Sequence, residues 1–258
     1  MRKINTASEF IKWLRKAAAE PTLYVMGCFG APLNDKTKAR YLSNHKYNRR
    51  PERQEMIRKA TNGTYGFDCV CLIKGILWGW CGDPDDIYGG ADYVVNDVPD
   101  LDAEQMMEVC KDLSSDFSDI LPGEVVGMPG HIGVYVGDGL CIECTPSWAN
   151  GVQYTACGNI GPVKGYPTRS WDRHGKLPYI TYDTAPKPEP APGPAPEEVP
   201  EHDRRYNSLE DVPGFANATI TKMLKKGLLK GRADGSLDLS DDMVRIYYVI
   251  DKTGLFGD

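Results

Sequence analysis

Apolar positions first recur with helical spacing. Phe10, Ile11 and Leu14 share a helical face behind Thr6-Ala7-Ser8-Glu9, a capping-box pattern. A first helix is therefore predicted to run to about Ala19 and to stop before Pro21. Residues 22–26 predict a short extended segment leading into a turn at Gly27 and Gly30, and the polar, poorly periodic residues 34–64 a helix-and-loop insertion. The run 69–80 has helical length and is apolar nearly all round, which predicts a buried helix. Gly75 and Gly79 would let it lie close against a sheet. From Gly123 onward the period changes to two, with short runs at 124–128, 131–136, 140–144, 152–156 and 177–182 separated by turn residues. Helices first, then consecutive strands joined by short turns, predict an α+β domain with helices packed on an antiparallel sheet.

Residues 184–202 read TAPKPEPAPGPAPEEVPEH, seven prolines in nineteen residues. Proline removes a backbone donor and fixes φ, so this segment holds neither a helix nor a central strand. It reads as a semi-rigid polyproline spacer, ~60 Å long if fully extended at ~3.1 Å per residue. The predicted organisation is a domain over 1–183, a proline-rich linker over 184–202 and a small helical domain over 203–258.

Composition narrows the function classes. Hydrophobic residues at 41% and charged ones at 26% suffice for a buried core and exclude global disorder. The richest apolar run is broken by Lys74 and falls short of the ~20 residues a bilayer needs, so no membrane span is expected. Lys12, Arg15 and Lys16 interrupt the amino-terminal segment, so no secretory signal is expected either. Synthesis in the cytoplasm follows, and work outside the cell would need another exit route. The formal charge of −6 hides an asymmetry: residues 1–60 carry fourteen Lys/Arg against five Asp/Glu (+9), and residues 61–120 two against thirteen (−11). The basic stretch 36–58 has only Tyr41 and Tyr47 interleaved and the pI is near 5.3, so nucleic acid is not expected as a partner. Eight cysteines without a signal suggest reduced thiols. Only Cys141-Ile142-Glu143-Cys144 has zinc-type spacing, since Cys69-Val70-Cys71 leaves a one-residue gap, so neither a metal nor another cofactor is expected.

One position is chemically loaded. Asp68 suits the N-cap of the buried helix, which puts Cys69 at the first helical position, where unpaired N–H groups and the helix dipole favour a thiolate. A thiol nucleophile needs a base. His202 lies in the linker and His45 in a basic, irregular stretch, which leaves His131 at the start of a strand and His174 in a loop, with a purely structural histidine the third alternative.

The ordered set Tyr24-Val25-Met26-Gly27, Phe67-Asp68-Cys69, Leu121-Pro122-Gly123-Glu124-Val125-Val126, Gly130-His131-Ile132-Gly133-Val134-Tyr135-Val136-Gly137 and Ile142-Glu143 resembles the NlpC-type cysteine peptidases of bacterial cell walls. The separations are 131 − 69 = 62 and 143 − 131 = 12. Two positions depart from that pattern: Met26-Gly27-Cys28 stands where members usually read Trp-Gly-Gly, and Val70-Cys71 where they read Ser-Gly. The resemblance implies a papain-like fold with Cys69 as nucleophile, His131 as base, Glu143 as orienting residue, and Tyr24 and Asp68 at the substrate and oxyanion region. It also implies amide hydrolysis in peptidoglycan stem peptides. Cleavage between muramic acid and L-alanine is the alternative within the class; a non-catalytic wall-binding protein and a zinc-dependent hydrolase are the alternatives outside it. The whole is similar to endolysins of phages of Gram-positive bacteria, which act on the wall after release through a membrane-permeabilising partner. Residues 206–256 resemble a single surface-layer homology repeat, implying a secondary wall polymer as partner of 203–258; a small helical or dimerisation module is the alternative.

Strand parity sharpens the role of Glu143. Read as a three-residue loop, Gly137-Asp138-Gly139 pairs Val136 with Leu140. Glu143 then sits opposite Gly133 and diagonal to His131, on the Cys69 side of the sheet. A two-residue turn would send Glu143 to the other face.

Overall fold

Thr6 caps the first helix, α1 (Ala7–Ala19), by accepting the Glu9 N–H at 3.2 Å, while Glu9 reaches back to the Asn5 N–H at 3.0 Å, one residue earlier than a standard box. The computed structural model describes residues 2–182, 205–232 and 234–253. These divide into two compact units, one within Met1–Ala191 and one within Pro192–Asp258. The predicted linker 184–202 lies outside the described residues.

In the first unit α1 is followed by β1 (Thr22–Tyr24), β2 (Phe29–Pro32), α2 (Asp35–Tyr41), α3 (Pro51–Lys59), β3 (Tyr65–Phe67), α4 (Cys69–Leu77) and α5 (Ala103–Glu108). Then come β4 (Lys111–Ser114), β5 (Val125–Met128), β6 (His131–Gly137), β7 (Leu140–Thr145), β8 (Gly151–Cys157), β9 (Thr168–Arg169) and β10 (Arg173–Lys176). The main sheet runs β4-β10-β5-β6-β7-β8-β9, antiparallel except for the β8–β9 pair, and β1-β3-β2 form a smaller sheet. The α+β class therefore holds.

All nine residues of α4 are buried, as an apolar-all-round helix requires. A Cβ on Gly75 would stand 2.4 Å from the Phe29 carbonyl oxygen, so this glycine lets α4 lie on β2, the small sheet. Gly79 has a different job: its φ of +100° lies just past the end of the helix. Side chains of the main sheet alternate. Ile132, Val134, Ile142 and Cys144 join the core with α4, while Val126, Tyr135, Cys141 and Trp171 form a second cluster on the other face. Cys141 and Cys144 thus point to opposite faces and cannot grip one ion. Among the described residues no group of three or more His, Cys, Asp or Glu is placed to hold a metal, and no helix is long and apolar enough to cross a membrane.

The stretch 177–182 is not a strand. Pro178 brings no N–H to a ladder, and Leu177 and Ile180 are buried as single anchors. The strand lies one step earlier, at β10, and it carries His174, expected in a loop. Thr181 instead closes on the amino terminus, donating to the Asn5 carbonyl (2.8 Å) and accepting the Ala7 N–H (2.9 Å).

The second unit holds β11 (Arg205–Tyr206), α6 (Gly214–Lys225), β12 (Leu239–Ser240) and α7 (Asp241–Lys252). Tyr206 pairs with Leu239, and both are buried with Ala216, Ile220, Met223 and Val244. Asp251 ties the helices together by accepting from Thr219 (2.8 Å) and Lys222 (2.9 Å).

Candidate active site

Asp68 does what an N-cap does and more. Its Oδ1 accepts the Cys71 N–H and its Oδ2 the Gly27 N–H, both at 2.7 Å, so one carboxylate pins the start of α4 to the segment after Tyr24. With both oxygens committed to backbone donors, Asp68 is a positioning residue. Burial raises its carboxyl, and these donors oppose the rise.

Cys69 stands at the first position of α4 and is 7% exposed. The N–H groups of Val70 and Ile132 point at its sulfur, which places it beside the start of β6. These donors do not produce a resting thiolate: burial, and after it the Asp68 carboxylate, pushes the thiol up to about 12. The expected thiolate is thus corrected. Desolvation in the core outweighs the helix terminus.

His131 opens β6 after the turn at Pro129 and Gly130, and its Nε2 lies 2.6 Å from Glu143 Oε2. Burial raises the Glu143 carboxyl, but hydrogen bonds from His131 and Arg169 and their charges outweigh it and hold the group below its ordinary value. An ionised carboxylate only accepts, so the hydrogen sits on Nε2 and Nδ1 keeps its lone pair. Trp171 stacks on the imidazole, with centroids 5.6 Å apart and planes at 11°, and Asn159 clasps the Trp171 backbone at N–H (2.8 Å) and carbonyl (2.9 Å).

The hairpin reaches this geometry by an unexpected route. Gly137 pairs with Leu140, so the turn is the two-residue Asp138-Gly139, with φ of +54° and +73°. The register then shifts between Tyr135 and Gly137, and Val136 is the extra residue of a bulge. Beyond it Tyr135 faces Cys141 and Val134 faces Ile142, which puts Glu143 opposite Gly133 as expected. The expectation of the face needs correction: His131 and Glu143 point to the Trp171 side of the sheet, opposite to α4. The sulfur meets the strand's beginning at the Ile132 N–H.

Tyr24 is buried beside Cys69 and Asp68, and burial first, then those neighbours, drives its phenol far above its ordinary value. The insertion 34–64 forms α2 and α3 and braces this segment. Asn48 accepts the Met26 N–H (3.0 Å) and donates to its carbonyl (2.9 Å), and Arg53 of α3 donates to the Tyr24 carbonyl and to Asn150 (2.9 Å). His174 is built into the structure elsewhere. Its Nδ1 meets the buried Glu124 carboxylate and its Nε2 donates to the Asp116 carbonyl at 2.8 Å, so both nitrogens are used. Of the two candidate histidines, His174 is committed on both nitrogens, while His131 precedes Ile132, whose N–H meets the Cys69 sulfur. Arg169 and Trp171 were missed by the sequence analysis, since a two-residue strand and a loop tryptophan carry no period.

No family model matches the chain, and no curated protein matches it. Among solved structures it is similar to NlpC2 from Trichomonas vaginalis (16% identity, TM-score 0.37, covering 69% of this chain and 48% of that one). It is also similar to NlpC1 from the same organism (16% identity, TM-score 0.34, covering 68% of this chain and 46% of that one). The chain spans about half the length of these structures.

Proposed function

We propose that the first unit is a papain-like thiol hydrolase that cleaves an amide bond in peptidoglycan stem peptides, and that residues 203–258 hold it on the wall after release from the cell. The observation that supports the reaction is a cysteine at a helix start whose sulfur meets the N–H of Ile132, the residue after a histidine whose Nε2 is bonded to a buried carboxylate. The resting nucleophile is a thiol, so its proton moves as it attacks. His131 Nδ1 takes the proton while Cys69 Sγ bonds to the carbonyl carbon. The Cys69 backbone N–H, at the helix start, faces the developing oxyanion. The imidazolium, steadied by Glu143, gives its proton to the leaving amine. Water then attacks the thioester carbonyl, His131 accepts the water's proton, the C–S bond breaks, and the imidazolium passes that proton to the departing sulfur, restoring the thiol.

Digestion of purified bacterial walls with the full chain and with Cys69→Ala, followed by mass spectrometry of the fragments, tests the reading. New amino ends within the stem identify the endopeptidase, and release of whole stems beginning at L-alanine identifies the amidase. No soluble fragments, or the same fragments from Cys69→Ala, would refute both. A chain ending at residue 183 should keep cutting soluble fragments while losing retention on whole walls; equal retention would remove the wall-binding role of 203–258.

A further inference from the structure

Glu143 is fully buried, yet it meets two basic side chains. Its Oε2 accepts from His131 Nε2 at 2.6 Å, and its Oε1 accepts from Arg169 Nε and from Thr155 Oγ1, both at 2.8 Å. The guanidinium is held in turn. It lies 4.8 Å from the Trp148 ring centroid and 5.6 Å from that of Trp171, the ring stacked on His131. Shut away from water, such a pair acts on its neighbours far more strongly than a surface ion pair does.

We propose that Arg169 is a positioning residue of the reaction, acting through Glu143 to set the basicity of His131. This rests on Cys69 and His131 being nucleophile and base. Once the thiol proton reaches Nδ1, the ring is a cation with its Nε2–H on Glu143. Two failures are then open: the proton on Nε2 passes to the carboxylate, or the cation is held so well that it does not return its proton to the leaving amine. Arg169 opposes both. Its Nε–H on Oε1 lowers the proton affinity of Glu143, and as a second cation on the same carboxylate it makes the imidazolium costlier. It also fixes the carboxylate plane so that Oε2 meets Nε2.

Among the described residues, the other titratable or charged groups around this pair are Cys69 of α4 at the Ile132 N–H, Cys141 and Cys144 on β7, and Glu104, Asp172 and Arg173 about the β5–β6 turn. Of these, Glu104 is engaged with the Gly130 N–H at 2.7 Å. Arg169 alone among them donates to the carboxylate that holds the imidazole.

The test is an imidazole NMR titration of His131 in the full-length protein and in Arg169→Gln and Arg169→Lys, with pH–rate profiles on purified walls. Gln should raise the His131 midpoint by about one pH unit and move the acid limb of the rate profile up with it; Lys, keeping the charge, should hold both near wild type while lowering the rate. An unchanged midpoint in a folded Gln variant overturns the proposal. If that variant does not fold, the wild-type Arg169 Nε–H resonance decides. It should shift with the His131 midpoint, and a resonance blind to that titration overturns the proposal. The NMR measurements need no turnover, so shifts as expected in a protein that cuts no wall would reject the reaction and keep the coupling.

Discussion

Cys69 shows how burial can outweigh a helix terminus. Its thiol is driven up to about 12 and is 7% exposed, whereas Cys81 is only partly buried. Iodoacetamide at neutral pH should therefore label Cys81 before Cys69, and Cys69 labelling should rise about tenfold per pH unit up to the alkaline limit of the fold. Peptide mapping of the labelled sites checks the order, and Cys69 labelling first would mean that the thiolate is present at rest. At this scale the sequence made the candidate site half legible. Asp68 as cap, Cys69 at the helix start and His131 at the strand start each follow from a local rule. Glu143 came from the family resemblance and from counting strand positions. Arg169 reaches Glu143 only because β9 runs parallel beside β8, a long-range pairing with no local signature.

Among the elements, the β6–β7 hairpin fixes whether the imidazole has a carboxylate. A tight two-residue turn with uniform pairing would set Glu143 opposite Val134; the extra residue Val136 restores it to Gly133. Two single-residue deletions should then part company. Removing Val136 leaves the Tyr135–Cys141 pair in place, so wall hydrolysis should survive at a cost of about 2 kcal/mol for one buried valine. Removing Cys141 lets Val136 pair with Ile142 and sets Glu143 opposite Tyr135, two residues from Gly133 and away from His131, so hydrolysis should vanish even where circular dichroism shows a folded chain. Activity in both, or in neither, would show that the register does not control the site. The period-two pattern located β5 to β8 closely, because each buries both faces against a core. It misplaced the last strand, since an apolar run containing proline can anchor a loop as well as a sheet edge, and it could not show a bulge, which leaves the alternation intact on either side.

For the whole molecule, the buried thiols set an alkaline limit. Burial raises Cys28 to about 11 and both Cys69 and Cys110 to about 12, against an ordinary value of 9.0. Raised folded-state values mean stability that is complete below pH 9 and is lost as pH climbs toward 11 and 12, because the unfolded chain sheds these protons first. Cys157 works the other way: the Cys141 thiol hydrogen-bonded to it lowers it to about 7. Cys71, Cys141 and Cys144 are raised by burial as well, so six raised thiols against one lowered predict a melting temperature that declines steadily from pH 9 to 11 under reducing conditions; a flat or rising profile would contradict them. The Asn5–Thr181 closure has a further consequence. Because the described path of the first unit, residues 2–182, closes on its own beginning, its order of segments is a convention of the gene more than a demand of the fold. A circular permutant cut in the irregular stretch between Gly161 and the exposed Pro162, with Tyr182 joined to Arg2 through a short flexible peptide, should retrace the same sheet and restore the Cys69, His131 and Glu143 arrangement from a chain read in a different order.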